Sequence, residues 1–153
     1  MNNNNQQESL RQIFIKVEGK THISNAAVRM ADLDSLGVVH SNVYLIFFED
    51  GFLSFMNWVE ASCSSLDERG IGFPVVSASL DYRSPTYFED VLEIHTSISN
   101  LGNSSFTCYH KVYRISDAQR ILSAEGKMIR VVADVKNIKT MNLSDVHVPR
   151  SSC

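Results

Sequence analysis

The sequence predicts an α+β fold in which an antiparallel sheet curls around one long helix. Three observations carry this. Residues 42–63 form an apolar stretch dominated by Leu, Ile, Phe, Met and Trp, entered through the helix-capping pair Ser41-Asn42. Four β-like runs follow between Phe73 and Val135. The connections between those runs are of hairpin length and carry turn residues, as in Asn100-Leu101-Gly102-Asn103 and Ser116-Asp117.

The elements read as follows in chain order. Residues 1–9 are polar and low in complexity, which predicts a disordered tail, and residues 10–150 then form a single domain. Ile13-Phe14-Ile15-Lys16-Val17 is a short β-like run ending at Gly19, and residues 21–31 hold a second run that leads into Asp32. A helix over 42–63 would be a rod of about 33 Å at ~1.5 Å per residue, long enough to cross a small domain. Asp50, Ser54, Asn57 and Ala61 form its one less apolar stripe, so the other sides need cover from the rest of the fold. The β runs are Phe73–Arg83, stopped by Ser84-Pro85, then 91–100, 105–115 and 121–135, the last with a bulge or bend expected at Gly126.

Composition narrows the function classes. With 153 residues, 44% hydrophobic, the chain can build one full core. A net charge of −3 and no basic block argue against a nucleic-acid partner. Cys63, Cys108 and Cys153 are odd in number and scattered, which gives neither a disulfide framework nor a zinc spacing and fits a reducing, cytoplasmic setting. The N-terminus lacks the apolar and basic regions of a signal peptide. Glu49 and Asp50 sit inside the apolar stretch, which argues against a membrane span.

The chemistry concentrates before the long helix. Asp32 and Asp34 are followed by a glycine turn at Gly37 and then by the helix start. A helix N-terminus exposes unpaired N–H groups and partial positive charge, a ready-made oxyanion site. A carboxylate facing such a site is what hydrolysis of a carbonyl compound needs. Read alone, Asp34 is better taken as a cap of the turn or the helix.

Asp34-Ser35-Leu36-Gly37-Val38-Val39-His40, with Tyr44 and Phe48-Glu49 behind it, resembles the signature of the 4-hydroxybenzoyl-CoA thioesterase family. Residues 69–77, 87–92 and Ser105-Phe106 resemble the family's later landmarks, so the resemblance covers most of residues 25–135. It implies the hotdog fold, a homodimer or homotetramer with active sites at a subunit interface, and hydrolysis of an acyl-thioester substrate. Asp34 matches the family's catalytic carboxylate, as nucleophile or as base for a water. Ser41 stands where the family places its main oxyanion donor, a backbone N–H. His40 either steers water or pairs with Asp34, or is a plain polar residue at the helix entry. Gly37 lets the chain turn and substrate approach.

Glu49 lies on an apolar helix face among Leu45, Ile46, Phe52, Leu53 and Met56, where a carboxylate needs a partner or a task. The family places an acidic residue there, near the acyl pocket, and the alternative is an ion pair across the subunit interface. Tyr44, Phe52 and Phe73 are candidate substrate contacts, although aromatics at such spacing are commonly core. One departure stands out: the turn Asn100–Ser104 has none of the basic residues that meet coenzyme A phosphates in some family members. Lys111, Arg114 or Arg83 are substitutes, and the carrier stays open between coenzyme A and an acyl carrier protein.

No G-x-S-x-G elbow, H-E-x-x-H or paired C-x-x-C occurs, and Gly70-Ile71-Gly72 precedes a strand rather than a helix. No metal site or cofactor is therefore expected. The leading expectation is a thioesterase. The alternatives are a non-catalytic acyl-thioester binder and a hotdog dehydratase, the latter usually wanting an Asp/His pair at the helix start.

Overall fold

A computed structural model describes residues 6–151. Its elements are β1 (Gln7–Ser9), α1 (Leu10–Val17), β2 (His22–Ala27), α2 (Val43–Trp58), α3 (Cys63–Glu68), β3 (Ile71–Gly72), β4 (Val75–Tyr82), β5 (Val91–Ser99), β6 (Ser105–Ser116), β7 (Gln119–Val131), β8 (Ala133–Asp134), β9 (Lys139–Thr140) and β10 (His147–Pro149). The main sheet is antiparallel with strand order β2-β5-β6-β7-β4. Helix α2 packs across β2, β5 and β6. This is the α+β, hotdog arrangement that the sequence and its resemblance imply.

Two apolar clusters lie on the sheet, one along each half of α2. Tyr44, Phe47 and Phe48 meet Leu92, Ile94, Val112 and Met128 at its N-terminal half. Phe52, Phe55 and Met56 meet Phe14, Ile98, Phe106 and Val132 at its C-terminal half. Each buried Phe contributes about 2–3 kcal/mol of transfer free energy, so α2 is held by its side chains rather than by its short-range propensity. The helix is not covered on all sides within one chain. Ile46 and Leu53 stay 49% and 45% exposed on its outer face, beside half-buried Glu49.

The glycines of α2 and β7 mark the closest approaches. A Cβ on Gly51 would sit 2.6 Å from Thr96 Oγ1, where the helix lies on β5. A Cβ on Gly126 would sit 2.1 Å from the Ser79 carbonyl oxygen and 3.0 Å from the Phe48 ring. Gly126 is thus a close-packing site, and the register shift of β7 against β6 lies nearby, between Val112 and Tyr113, instead. Gly126→Ala is expected to cost about 2–3 kcal/mol through overpacking, read as a lower urea midpoint; an unchanged midpoint would contradict the close approach.

Several elements differ from the sequence expectation. Residues 13–17 are helical, not extended. Ser9 and Gln12 form a capping box, and Leu10, Ile13 and Phe14 make one buried stripe. The five-residue window mimicked strand alternation because it was too short to show the helical period. Residues 7–9 of the expected disordered tail instead pair with β10, and residues 1–5 lie outside the described residues. Helix α2 ends at Trp58, before the expected 63. Glu60 takes a left-handed φ of 59°, and Ala61 N–H donates to Met56 O at 2.9 Å, closing the helix without the usual glycine. The expected 73–83 strand is β4 alone, starting after Pro74, with the separate short strand β3 ahead of it, and the 121–135 run breaks between β7 and β8.

Candidate active site

The loop before α2 is built from its own short hydrogen bonds. Asp34 N–H donates to Val38 O at 2.8 Å and Gly37 N–H to Asp34 O at 3.1 Å. Gly37 takes the positive φ of 79° that this reversal needs. Asp34 Oδ1 accepts from Leu36 N–H at 2.8 Å and Val38 N–H at 3.4 Å, while no described residue bonds its Oδ2. The turn-capping reading of Asp34 therefore holds for one oxygen, and the other is uncommitted. The loop is anchored by Asp32, which is buried. Asp32 takes hydrogen bonds from the Arg29 side chain at 2.9 Å and from Arg29 N–H at 2.8 Å, and these hold its carboxyl below the usual carboxylate range.

Asp34 lines a cleft of about 420 Å³ together with His40, Ser41, Tyr44, Tyr82 and Arg83. The floor is the start of α2. Asn42 stands at the cap position with helical backbone angles, and its side chain makes no capping bond, so the expected Ser41-Asn42 cap is not formed. The N–H groups of Ser41 and Asn42 find no acceptor among the described residues. The helix start is instead pinned from the side. Tyr82 Oη donates to Ser41 O at 2.8 Å, and Tyr44 Oη shares a 2.7 Å hydrogen bond with Thr86 Oγ1. Tyr44 and Tyr82 also pack edge to face, and burial pushes the Tyr44 phenol up. The open start of α2, where Ser41 lines the cleft, and the Asp34 carboxylate thus meet at one cavity at the positive end of a 16-residue helix. His40 is exposed in the same cleft and makes no bond to Asp34. Gly37 shapes the loop but does not line the cleft. Among the described residues Arg83 is the one Lys or Arg lining it; Lys111 and Arg114 do not.

Glu49, Phe52 and Phe73 lie elsewhere. They line a second cleft of about 340 Å³ with Leu53, Cys63 and Arg130. Glu49 has a partner within its own chain. Arg130 Nη2 donates to Glu49 Oε1 at 2.7 Å and Nη1 to Phe73 O at 2.9 Å. The guanidinium is buried, lies 4.0 Å over the Phe52 ring, and leaves its Nε without a partner among the described residues. Phe52 and Phe73 pack edge to face at 5.7 Å and belong to the core as well. Cys63 is only half-buried here, its thiol pushed up to about 11 by burial, whereas Cys108 is fully buried and pushed up to about 12. Arg130 was missed in the sequence although its signal was there. It occupies an inward position of β7 between Met128 and Val132, where a charge demands a partner.

Among the described residues no group of His, Cys, Asp and Glu is placed to hold a metal ion, and no helix is long and apolar enough to cross a membrane.

A model of the thioesterase-like superfamily matches residues 28–148. The chain is 27% identical over 108 residues to the acyl-CoA thioester hydrolase YbgC of Escherichia coli O157:H7, covering 71% of this chain and 78% of that protein. It is 26% identical over 99 residues to the 1,4-dihydroxy-2-naphthoyl-CoA hydrolase of Synechocystis sp. (strain ATCC 27184 / PCC 6803 / Kazusa), covering 64% and 72%. Among solved structures, a gentisyl-coenzyme A thioesterase superposes with a TM-score of 0.73 at 27% identity, over 79% of this chain and 94% of that one.

Proposed function

Because the chain belongs to the thioesterase-like superfamily, we propose that it hydrolyses an acyl-coenzyme A thioester to the free acid and thiol at the Asp34 cleft. The observation that carries this reading is the shared cleft of the Asp34 carboxylate and the uncapped start of α2. The thioester carbonyl oxygen sits against the Ser41 and Asn42 N–H groups. These stabilise the negative charge that develops as the carbonyl carbon is attacked. Asp34 acts through its free Oδ2, as nucleophile or as base for a water, while its Oδ1 keeps the loop in place. Tyr82 and Tyr44 hold the helix start at the position this requires.

The working unit in this reading is a homodimer. Strand β4 is a sheet edge with an unpaired side, and Ile46 and Leu53 form an exposed apolar row on α2. Pairing two copies covers both. Glu49, Phe52 and Phe73 then serve as the acyl-side pocket of the assembled enzyme.

The test is thiol release from aryl- and alkyl-coenzyme A thioesters, followed by thioester absorbance because the protein has thiols of its own. Turnover of at least one ester that depends on Asp34 supports the reading. Absence of turnover across the panel, with ligand-induced thermal stabilisation, points to a binding role instead. The same assay with acyl carrier protein esters identifies the carrier.

A further inference from the structure

Ile138 sits in an unusual place. It is 91% exposed, at the tip of the hairpin between β8 and β9. Its φ is 53°, in the left-handed region that glycine and asparagine fill easily and β-branched residues avoid. The hairpin is otherwise well made: Asp134 Oδ1 accepts from Lys136 and Asn137 N–H groups, each at 3.1 Å. An isoleucine left almost wholly uncovered by the described residues is thus presented on a firm base. Val135 and Pro74 adjoin it and form an apolar cleft of about 520 Å³.

Pro74 immediately precedes β4, the free edge of the main sheet. That edge has the sequence VVSASLDY, with one charge, no proline and no lysine to discourage pairing. Two copies joined through it by a two-fold axis run antiparallel, so the start of one β4 lies beside the end of the other. With the strands centred on each other, Val75 of one copy opposes Tyr82 of the second. Tyr82 and Arg83 are walls of the Asp34 cleft. Within one chain the hairpin cannot reach that cleft, because β4 separates them by roughly 23 Å at ~3.3 Å per residue.

We propose that the β8–β9 hairpin, through Ile138, forms the missing apolar wall of the Asp34 cleft in a second copy of this chain. The inference rests on the hydrolase reading above and adds a specificity-determining residue supplied in trans. Ile138 packs against the acyl-thioester substrate and limits water entry to the cleft, and its backbone conformation is maintained by that contact.

Ile138→Gly relieves the left-handed conformation, so it leaves the fold intact. It is expected to raise KM about tenfold, the effect of removing apolar contact from a substrate pocket. The deciding experiment mixes Ile138→Gly chains with Asp34→Asn chains after subunit exchange. In a mixed dimer one site combines a wild-type Asp34 with a wild-type Ile138 from the other chain. About a quarter of all sites then regain the wild-type KM, given random pairing into two-fold dimers. A mixture that shows only the raised KM overturns the proposal, as does an unchanged KM in Ile138→Gly itself. Turnover that survives in Asp34→Asn counts against the hydrolase reading alone. Sedimentation then decides the inference: a wild-type dimer weakened by Ile138→Gly supports it, and a wild-type monomer overturns it.

Discussion

Asp34→Asn is expected to lower turnover of the preferred thioester by about 10²- to 10⁴-fold, the range for losing a positioned acid–base group. That corresponds to ~3–5 kcal/mol of barrier. The substitution is informative because of how Asp34 is held. The asparagine amide oxygen can still accept the Leu36 and Val38 N–H bonds that close the loop, so the turn survives. What is lost is the carboxylate charge, including that on the second oxygen, which no loop N–H engages. Thermal stability should therefore change little, by about 0.5 kcal/mol or less, as for substitutions that break no buried feature. Asp34→Ala should differ, losing about 1 kcal/mol more because two loop N–H groups lose their acceptor. Paired measurement of turnover and urea unfolding separates the two. A fully active Asp34→Asn would leave Asp34 as a turn cap only.

The second large effect lies in the core. His110 is buried between Phe48, stacked on it at 4.7 Å, and Thr96, whose Oγ1 lies 3.0 Å from Nδ1. Its Nε2 has no partner among the described residues. Burial, helped by the charge of Arg130, pushes its pKa down to about 3. The imidazole is therefore neutral in the folded chain, and the sign of the linkage follows. Above about pH 6.5 neither state binds the proton, and His110 leaves stability independent of pH. Below it the unfolded chain takes up a proton that the folded chain refuses. Stability then falls by ~1.4 kcal/mol per pH unit until the folded pKa is reached, or about 2 kcal/mol by pH 5. Urea unfolding of wild type and His110→Gln at pH 7 and pH 5 isolates this, since other titrating groups are common to both. The wild type should lose about 2 kcal/mol more than the variant over that interval. Parallel losses would show that His110 titrates normally.

Much of the fold was legible because long elements repeat their signal. The apolar stretch behind Ser41-Asn42 is α2, and the runs at 91–100 and 105–115 are β5 and β6 to within a residue. Short or locally atypical elements were not. Helix α1 shows fewer than three turns, and just past the end of α2 the chain turns at Glu60, in a conformation that sequence associates with glycine. For the site, the Asp34 loop and the helix start were readable as neighbours because eight residues or fewer separate them and local hydrogen bonds close the loop. Arg130 was not readable as the partner of Glu49, since 81 residues and most of the sheet lie between them.

By itself, then, the sequence determined the class of fold, its central helix and strands, and the juxtaposition of a carboxylate with a helix N-terminus. All of these depend on side-chain periodicity or on contacts a few residues apart. Only the tertiary structure decided that the helix cap is left open, that Tyr82 and Thr86 brace the helix start, and that Asp34 and Glu49 look into separate clefts. It also decided which apolar side chains, Ile46, Leu53 and Ile138, remain uncovered. Each of these follows from how distant segments pack: the register of β4 against β7 and the seating of α2 on β2, β5 and β6 set it, which no local pattern encodes.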